Sequence, residues 1–197
     1  MEFPAGFCSN PAHPVARPRG RVPVPSGAQS LEELKLTFIR HGLCRQTREA
    51  RFGADGPLDR SCVPLARIED SPAVCSPTAI SRESAAALGL KAVPDPHLSP
   101  ANYGYWNGLP LQAVSPTDLR QWRSNPGYRG HGGESIVDLL QRTSLWLGQL
   151  DRTQDFIIVT HAENIRAAVA VTSDNIDAYW SGPQCHLRAF DSYMLSL

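Results

Sequence analysis

Two histidines in this chain stand where a neutral imidazole has chemistry available to it. His41 follows an arginine in Thr37-Phe38-Ile39-Arg40-His41-Gly42, and His161 ends the run Phe156-Ile157-Ile158-Val159-Thr160-His161. An imidazole titrates near neutrality and keeps a free lone pair when neutral, so it can attack an electrophile or move a proton without activation by a metal. Arg40 places a permanently charged fork beside His41, suited to a phosphate or a carboxylate. Glu163, two residues beyond His161, is the best proton donor or acceptor near the pair. Its competing reading is a capping box with Thr160 at the start of a helix. Either histidine alone at a strand end is ordinarily structural; the conjunction of the two with Arg40 points to catalysis.

These side chains must be carried by elements that bring distant parts of the chain together. Leu34, Leu36 and Phe38 alternate with Lys35 and Thr37 and predict a β-strand ending at Arg40-His41-Gly42. Phe156-Ile157-Ile158-Val159 is a continuous apolar run, as in a strand buried on both faces of a parallel sheet. Ser76-Pro77 ahead of Arg82 to Leu88, with Gly89 as a stop, predicts a helix. Ser135 to Leu150 predicts another, with Ile136, Leu139, Leu140 and Leu147 at helical spacing and a capping-box start between Ser135 and Asp138. The segment after His161 starts a third helix, whose free N–H groups add a positive end. Alternating strands and helices imply a three-layer α/β/α sandwich with a mostly parallel sheet, and ligands in such sheets sit beyond the carboxyl ends of the strands. His41 and His161 are therefore expected to face one crevice.

With 197 residues, 42% of them apolar, the chain suits one globular domain. Residues 1–30 hold six prolines and the cluster Arg17, Arg19 and Arg21 with no apolar period, which predicts a flexible tail; residues 31–197 form the domain. Nineteen Lys and Arg balance nineteen Asp and Glu, so neither nucleic acid nor a membrane surface is expected as a partner. No window approaches the length of a spanning helix and no secretory signal opens the chain, which predicts a cytoplasmic protein. Cys8, Cys44, Cys62, Cys75 and Cys185 form no paired spacing and are expected as free thiols. No cofactor and no metal are expected.

The Arg40-His41-Gly42 segment resembles the RHG signature of the histidine phosphatase superfamily, the phosphoglycerate-mutase-like fold. The resemblance continues in order through Asp55-Gly56-Pro57-Leu58-Asp59, Cys75-Ser76-Pro77, Ala85-Ala86-Ala87-Leu88-Gly89, Tyr103-Gly104-Tyr105-Trp106-Asn107-Gly108, His131-Gly132-Gly133-Glu134-Ser135 and Val159-Thr160-His161-Ala162. It implies that His41 is a nucleophile that becomes phosphorylated, that Arg40 binds the phosphoryl oxygens and that His161 is the second pocket histidine. It also implies a pocket-rim position for Glu134. Cys44 stands where the family commonly has a phosphate-touching hydroxyl, and Tyr103 is a candidate wall for substrate.

Three departures accompany the resemblance. The second pocket arginine, three residues after the proline of SPxxR, is replaced by Ile80; Arg82 lies about 200° further round the helix and reads as a surface residue. In Leu98-Ser99-Pro100-Ala101-Asn102-Tyr103-Gly104 the family's acid is replaced by Pro100 and the following aspartate by Asn102. The third is Cys44. His97 and His131 are surface residues or minor proton sources on this reading, and Trp106 belongs to the core. The expectation is a divergent enzyme using His41, His161 and Arg40 on a small anionic metabolite, with acid–base or eliminative rather than phosphatase chemistry. The alternatives are a phosphatase acting through phospho-His41 on a substrate with a good leaving group, and a catalytically silent binding protein. If the losses alone suppress phosphatase activity, Ile80→Arg with Pro100→Glu restores it.

Overall fold

The computed structural model describes residues 33–68 and 71–197; the predicted tail of residues 1–30 lies outside them. Five strands form one sheet in the order β3-β2-β4-β1-β5. These are β1 (Lys35–Arg40), β2 (Ala73–Cys75), β3 (Val93–Pro94), β4 (Phe156–Thr160) and β5 (Ser192–Ser196). β1, β2, β3 and β4 run parallel, and β5 pairs antiparallel with β1 at one edge. β1 and β4 are neighbours, with Arg40 opposite Thr160. The register therefore delivers His41 and His161 to the same point beyond the sheet.

The predicted layers follow from the alternation of side chains across the pleat. Leu36, Phe38 and Ile158 point to one face, where α4 (Ile136–Gly148) supplies Trp146 and Leu147 and α5 (Ala162–Thr172) supplies Ile165 and Ala168. Ile39, Cys75, Ile157 and Val159 point to the other, against Ala85 and Leu88 from α2 (Ala79–Ala87) and the turn after it. The result is an α/β/α sandwich. The short helix α1 (Arg45–Arg48) follows His41, and α3 (Pro116–Ser124) belongs to a separate aromatic cluster built on Phe52, Tyr103, Trp106 and Tyr128.

Helix starts agree with the sequence at α4, where Ser135 and Asp138 form the expected capping box, and differ at α2, where Thr78 rather than Ser76 is the N-cap and Pro77 precedes the helix, and at α5. There the N-cap is His161 rather than Thr160. Thr160 is still in the strand, and its hydroxyl donates to the Leu98 carbonyl at 3.1 Å. The capping-box reading of Glu163 is thereby removed. Among the described residues no helix is long and apolar enough to cross a membrane.

Candidate active site

The two strand ends bring the histidine rings to a centroid separation of 4.6 Å at 69°, edge to face. Each side chain is almost covered, with His41 4% and His161 3% exposed. The His41 backbone N–H donates to the Thr160 carbonyl at 3.0 Å, which ties the end of one strand to the other. Gly42 follows because the space is taken: a Cβ there would lie 2.4 Å from Leu58 Cδ1. Its N–H instead reaches the Ser84 hydroxyl on α2 at 2.9 Å, fixing the loop.

Hydrogen bonding sets the tautomer of His41. Nδ1 lies 2.7 Å from the Gly42 carbonyl, which only accepts, so Nδ1 carries the proton. Burial, then the neighbouring His161, push the His41 pKa down, so the ring is neutral at neutral pH and Nε2 keeps its lone pair. His161 Nε2 faces two hydroxyls, Ser76 at 3.0 Å and Thr78 at 3.2 Å. Burial lowers its pKa too; Asp55 opposes that shift, while Arg142 and Arg40 add to it.

A cavity of about 300 Å³ opens on these rings, and Arg40, Tyr103, Ala162 and Glu163 share its wall with both histidines. Arg40 donates to the Leu187 carbonyl, which orients the guanidinium, and burial draws its pKa below the ordinary arginine value while Glu163 opposes that shift. The N–H groups of Ala162 and Glu163, in the first turn of α5, have no backbone partner among the described residues. The cavity thus combines a bare imidazole nitrogen, a cation and free N–H donors, an arrangement that suits an anion undergoing attack. The Glu163 carboxylate lines the same cavity with no hydrogen-bond or ion-pair partner among the described residues. Burial holds the Tyr103 phenol well above its ordinary pKa, so it stays protonated, and its ring packs on Phe52 at 5.0 Å.

The remaining predicted residues are placed elsewhere. Glu134 is not on this cavity: it takes Nε and Nη2 of Arg142 at 3.0 Å each and lines a second cleft of about 480 Å³ together with Pro100, Asn102 and Arg142. Its charge is spent on a salt bridge that staples the loop before α4, which corrects its expected rim position. Cys44 is buried, 1% exposed, and off the cavity wall; its backbone N–H donates to Thr47 Oγ1 at 2.8 Å. Thr47, one helical turn on, is the hydroxyl that lines the cavity. Ile80 is fully buried, and its N–H donates to Asp55 Oδ1 at 3.0 Å. Arg82 is exposed, as expected of a surface residue. His131 is not a surface residue: it is fully buried within Tyr103, Trp106 and Tyr128. His97 is exposed and pairs with Asp95 at 3.0 Å.

Sequence reasoning missed Thr47, Arg51 and Phe52 on the cavity wall. Thr47 was available from helical spacing after Cys44. Arg51 and Phe52 were not, because the long-range pairing of their segment with residues 108–111 has no local signature. A groove of about 410 Å³ between Leu58, Arg67 and Glu83 shares no residue with the histidine cavity.

An α/β/α sandwich with paired strand-end histidines beside an arginine defines a histidine-phosphatase-like protein. The chain belongs to the histidine phosphatase superfamily (branch 1), whose family pattern matches residues 63–189; His161 falls inside that stretch and Arg40-His41 precedes it. Among solved structures it is similar to the Thermus thermophilus protein TTHB049, 25% identical at a TM-score of 0.60 over 68% of this chain and 82% of that one. It resembles a phosphoglycerate mutase from Thermus thermophilus at 22% identity and a TM-score of 0.63, over 83% of this chain and 98% of that one. It also resembles a protein described as mycobacterial hydrolase 1, at 21% identity and a TM-score of 0.67, over 83% and 92%. The last two likenesses speak to fold alone. No match appears among curated proteins.

Proposed function

We propose that this protein is an enzyme transferring the phosphoryl group of a small phosphorylated metabolite to His41 and then to water, with Glu163 moving the protons. The observation that carries this reading is the bond from His41 Nδ1–H to the Gly42 carbonyl, 2.7 Å, which leaves Nε2 as a bare nucleophile. Nε2 attacks phosphorus, and the bond from phosphorus to the leaving oxygen breaks. That oxygen takes a proton from the Glu163 carboxyl. The resulting carboxylate then removes a proton from water as the water's oxygen displaces His41 from phosphorus, which releases phosphate and restores both groups. Arg40 and the Ala162 and Glu163 N–H groups meet the charge spread over the equatorial oxygens.

With Ile80 and Pro100 in place of the family's arginine and acid, substrates with good leaving groups, such as acyl phosphates, suit the site best. Those same replacements favour the second reading, acid–base or eliminative chemistry at carbon on an anionic metabolite. Acid-quenched labelling with a radiolabelled acyl phosphate separates the two. The expected product is an acid-labile, base-stable adduct on His41 that His41→Ala lacks. No adduct and no phosphate release across a broad panel of phosphorylated metabolites overturns phosphoryl transfer. A His41→Ala protein that turns over substrate like the parent overturns both readings.

A further inference from the structure

We infer that Arg51 makes the outer part of the His41 cavity a recognition site for a second anionic group, so that the substrate carries a carboxylate or a further phosphate apart from the group offered to His41. The chemistry at His41 rests on the reading above; the charge recognition at Arg51 does not.

Arg51 lines the same cavity as His41, beside Phe52 and Leu111. Its backbone is held rigidly. Leu111 N–H donates to Ala50 O at 3.0 Å, Phe52 N–H to Leu109 O at 3.0 Å, and Gly108 N–H to Phe52 O at 2.9 Å. The guanidinium is tethered as well, through Nε to Glu49 Oε2 at 2.6 Å and Nη1 to the Gly108 carbonyl at 2.7 Å. A guanidinium has five N–H donors in a fixed fork, and the Nη2 pair of this one has no partner among the described residues. Glu49 does not cancel the charge, because its other oxygen is bound to Arg45 at 2.7 Å. One carboxylate facing two guanidiniums leaves a net positive charge at the cavity's rim.

On open surface such a cluster contributes little, since solvent screens it. Arg51 differs in that its side chain is only 34% exposed and the residue lines a cavity shared with Phe52, Leu111 and Tyr103, where a ligand displaces water and strengthens the interaction. A tethered fork also loses little freedom when it closes on an anion. The cavity, about 300 Å³, sits at the small end for ligand sites, so the two anionic groups belong to one short molecule.

The test is calorimetric binding to the full chain of three series of increasing chain length. These are ω-phosphonocarboxylates, their terminal amides, which keep the length and lose the second charge, and alkylene bisphosphonates. The expected result is a length at which a doubly anionic compound binds at least about tenfold more tightly than the amide. Arg51→Met erases that ratio by weakening the doubly anionic compound alone, Arg51→Lys keeps part of it, and both variants melt like the parent. The series that gains the ratio identifies the second group. Equal affinity for acid and amide, equal weakening of both by Arg51→Met, or no binding by any series overturns the inference. A preserved ratio without a phosphohistidine leaves Arg51 its role and overturns the reaction at His41 instead.

Discussion

Glu163 and Glu134 were both candidates from the sequence, and their surroundings give them opposite fates. Glu134 is consumed by two bonds to Arg142, whereas Glu163 lines the histidine cavity with no ion pair or hydrogen bond among the described residues. A group that must hold a proton in one step and release it in the next is better left without a cation fixed to it. Glu163→Gln keeps the shape and removes the proton transfer. It is expected to slow phosphorylation of His41 by alkyl phosphates by about 10²- to 10⁴-fold while changing phosphorylation by an acyl phosphate far less, because that leaving group needs no proton. Hydrolysis of the phosphohistidine, where Glu163 takes the water proton, slows alike for both. Single-turnover rates of His41 labelling by the two substrate types check this. Equal losses on both would show that Glu163 binds the phosphoryl group instead. Glu134→Gln serves as the contrast: it should lower the melting temperature through the freed Arg142 charge and leave the ratio between substrate types unchanged.

At the scale of elements, α2 shows why the family's second arginine is not simply missing a partner. Ile80 is 0% exposed, and its backbone N–H is bound to Asp55. Pro100, meanwhile, faces the Glu134 cleft with its carbonyl 3.5 Å from Arg142 Nη2. Restoring the family pattern by Ile80→Arg with Pro100→Glu is therefore expected to fail as a rescue. The arginine would bury a charge at a cost of about 3–5 kcal/mol, a large share of a domain's stability, and the new carboxyl would enter the wrong cleft. Thermal denaturation of Ile80→Arg checks this; a variant that melts like the parent and gains phosphatase activity would contradict it. What the sequence made legible follows the same lines. β1, β4, α2 and α4 could be read because their pattern is local: alternation, a continuous apolar run, a cap with its partner three residues on. The convergence of His41 and His161 followed from strand ends alone. The antiparallel edge strand β5, Arg51 on the cavity wall and the start of α5 one residue late were not legible. Each depends on pairing between distant segments, as when Thr160 gives its hydroxyl to Leu98 instead of capping the helix.

For the molecule as a whole, three covered imidazoles set the response to acid. Burial lowers the pKa of His41, His161 and His131 from the ordinary 6.5. Protonation of His131 is also opposed by its bonding, because Nδ1 accepts the Gly133 N–H at 3.1 Å and cannot do so once protonated, while Nε2 is already buried without a partner. That bond matters to the site. Gly133 lies where the Asn102 and Gly104 backbones cross, and a Cβ on it would be 2.1 Å from the Asn102 carbonyl, so loosening it disturbs Tyr103 between them. The sign follows from linkage. Above pH 6.5 the rings are neutral folded and unfolded and contribute no slope; below it the unfolded chain binds protons that the folded chain refuses, so stability falls as pH falls. Each such ring contributes up to about 1.4 kcal/mol per pH unit until its folded form protonates. Asp59 acts separately and lower down: hydrogen bonds from Ser61, then Arg48, hold it at about 2, so its contribution is lost only in stronger acid. The melting temperature is thus expected to be nearly flat from about pH 8 to 7 and to drop steeply from about pH 6.5 to 5, with proton uptake on unfolding over the same interval. A flat profile through that interval would mean that water or a counter-ion reaches the rings, and the neutral, nucleophilic His41 at the centre of the site would lose its physical basis.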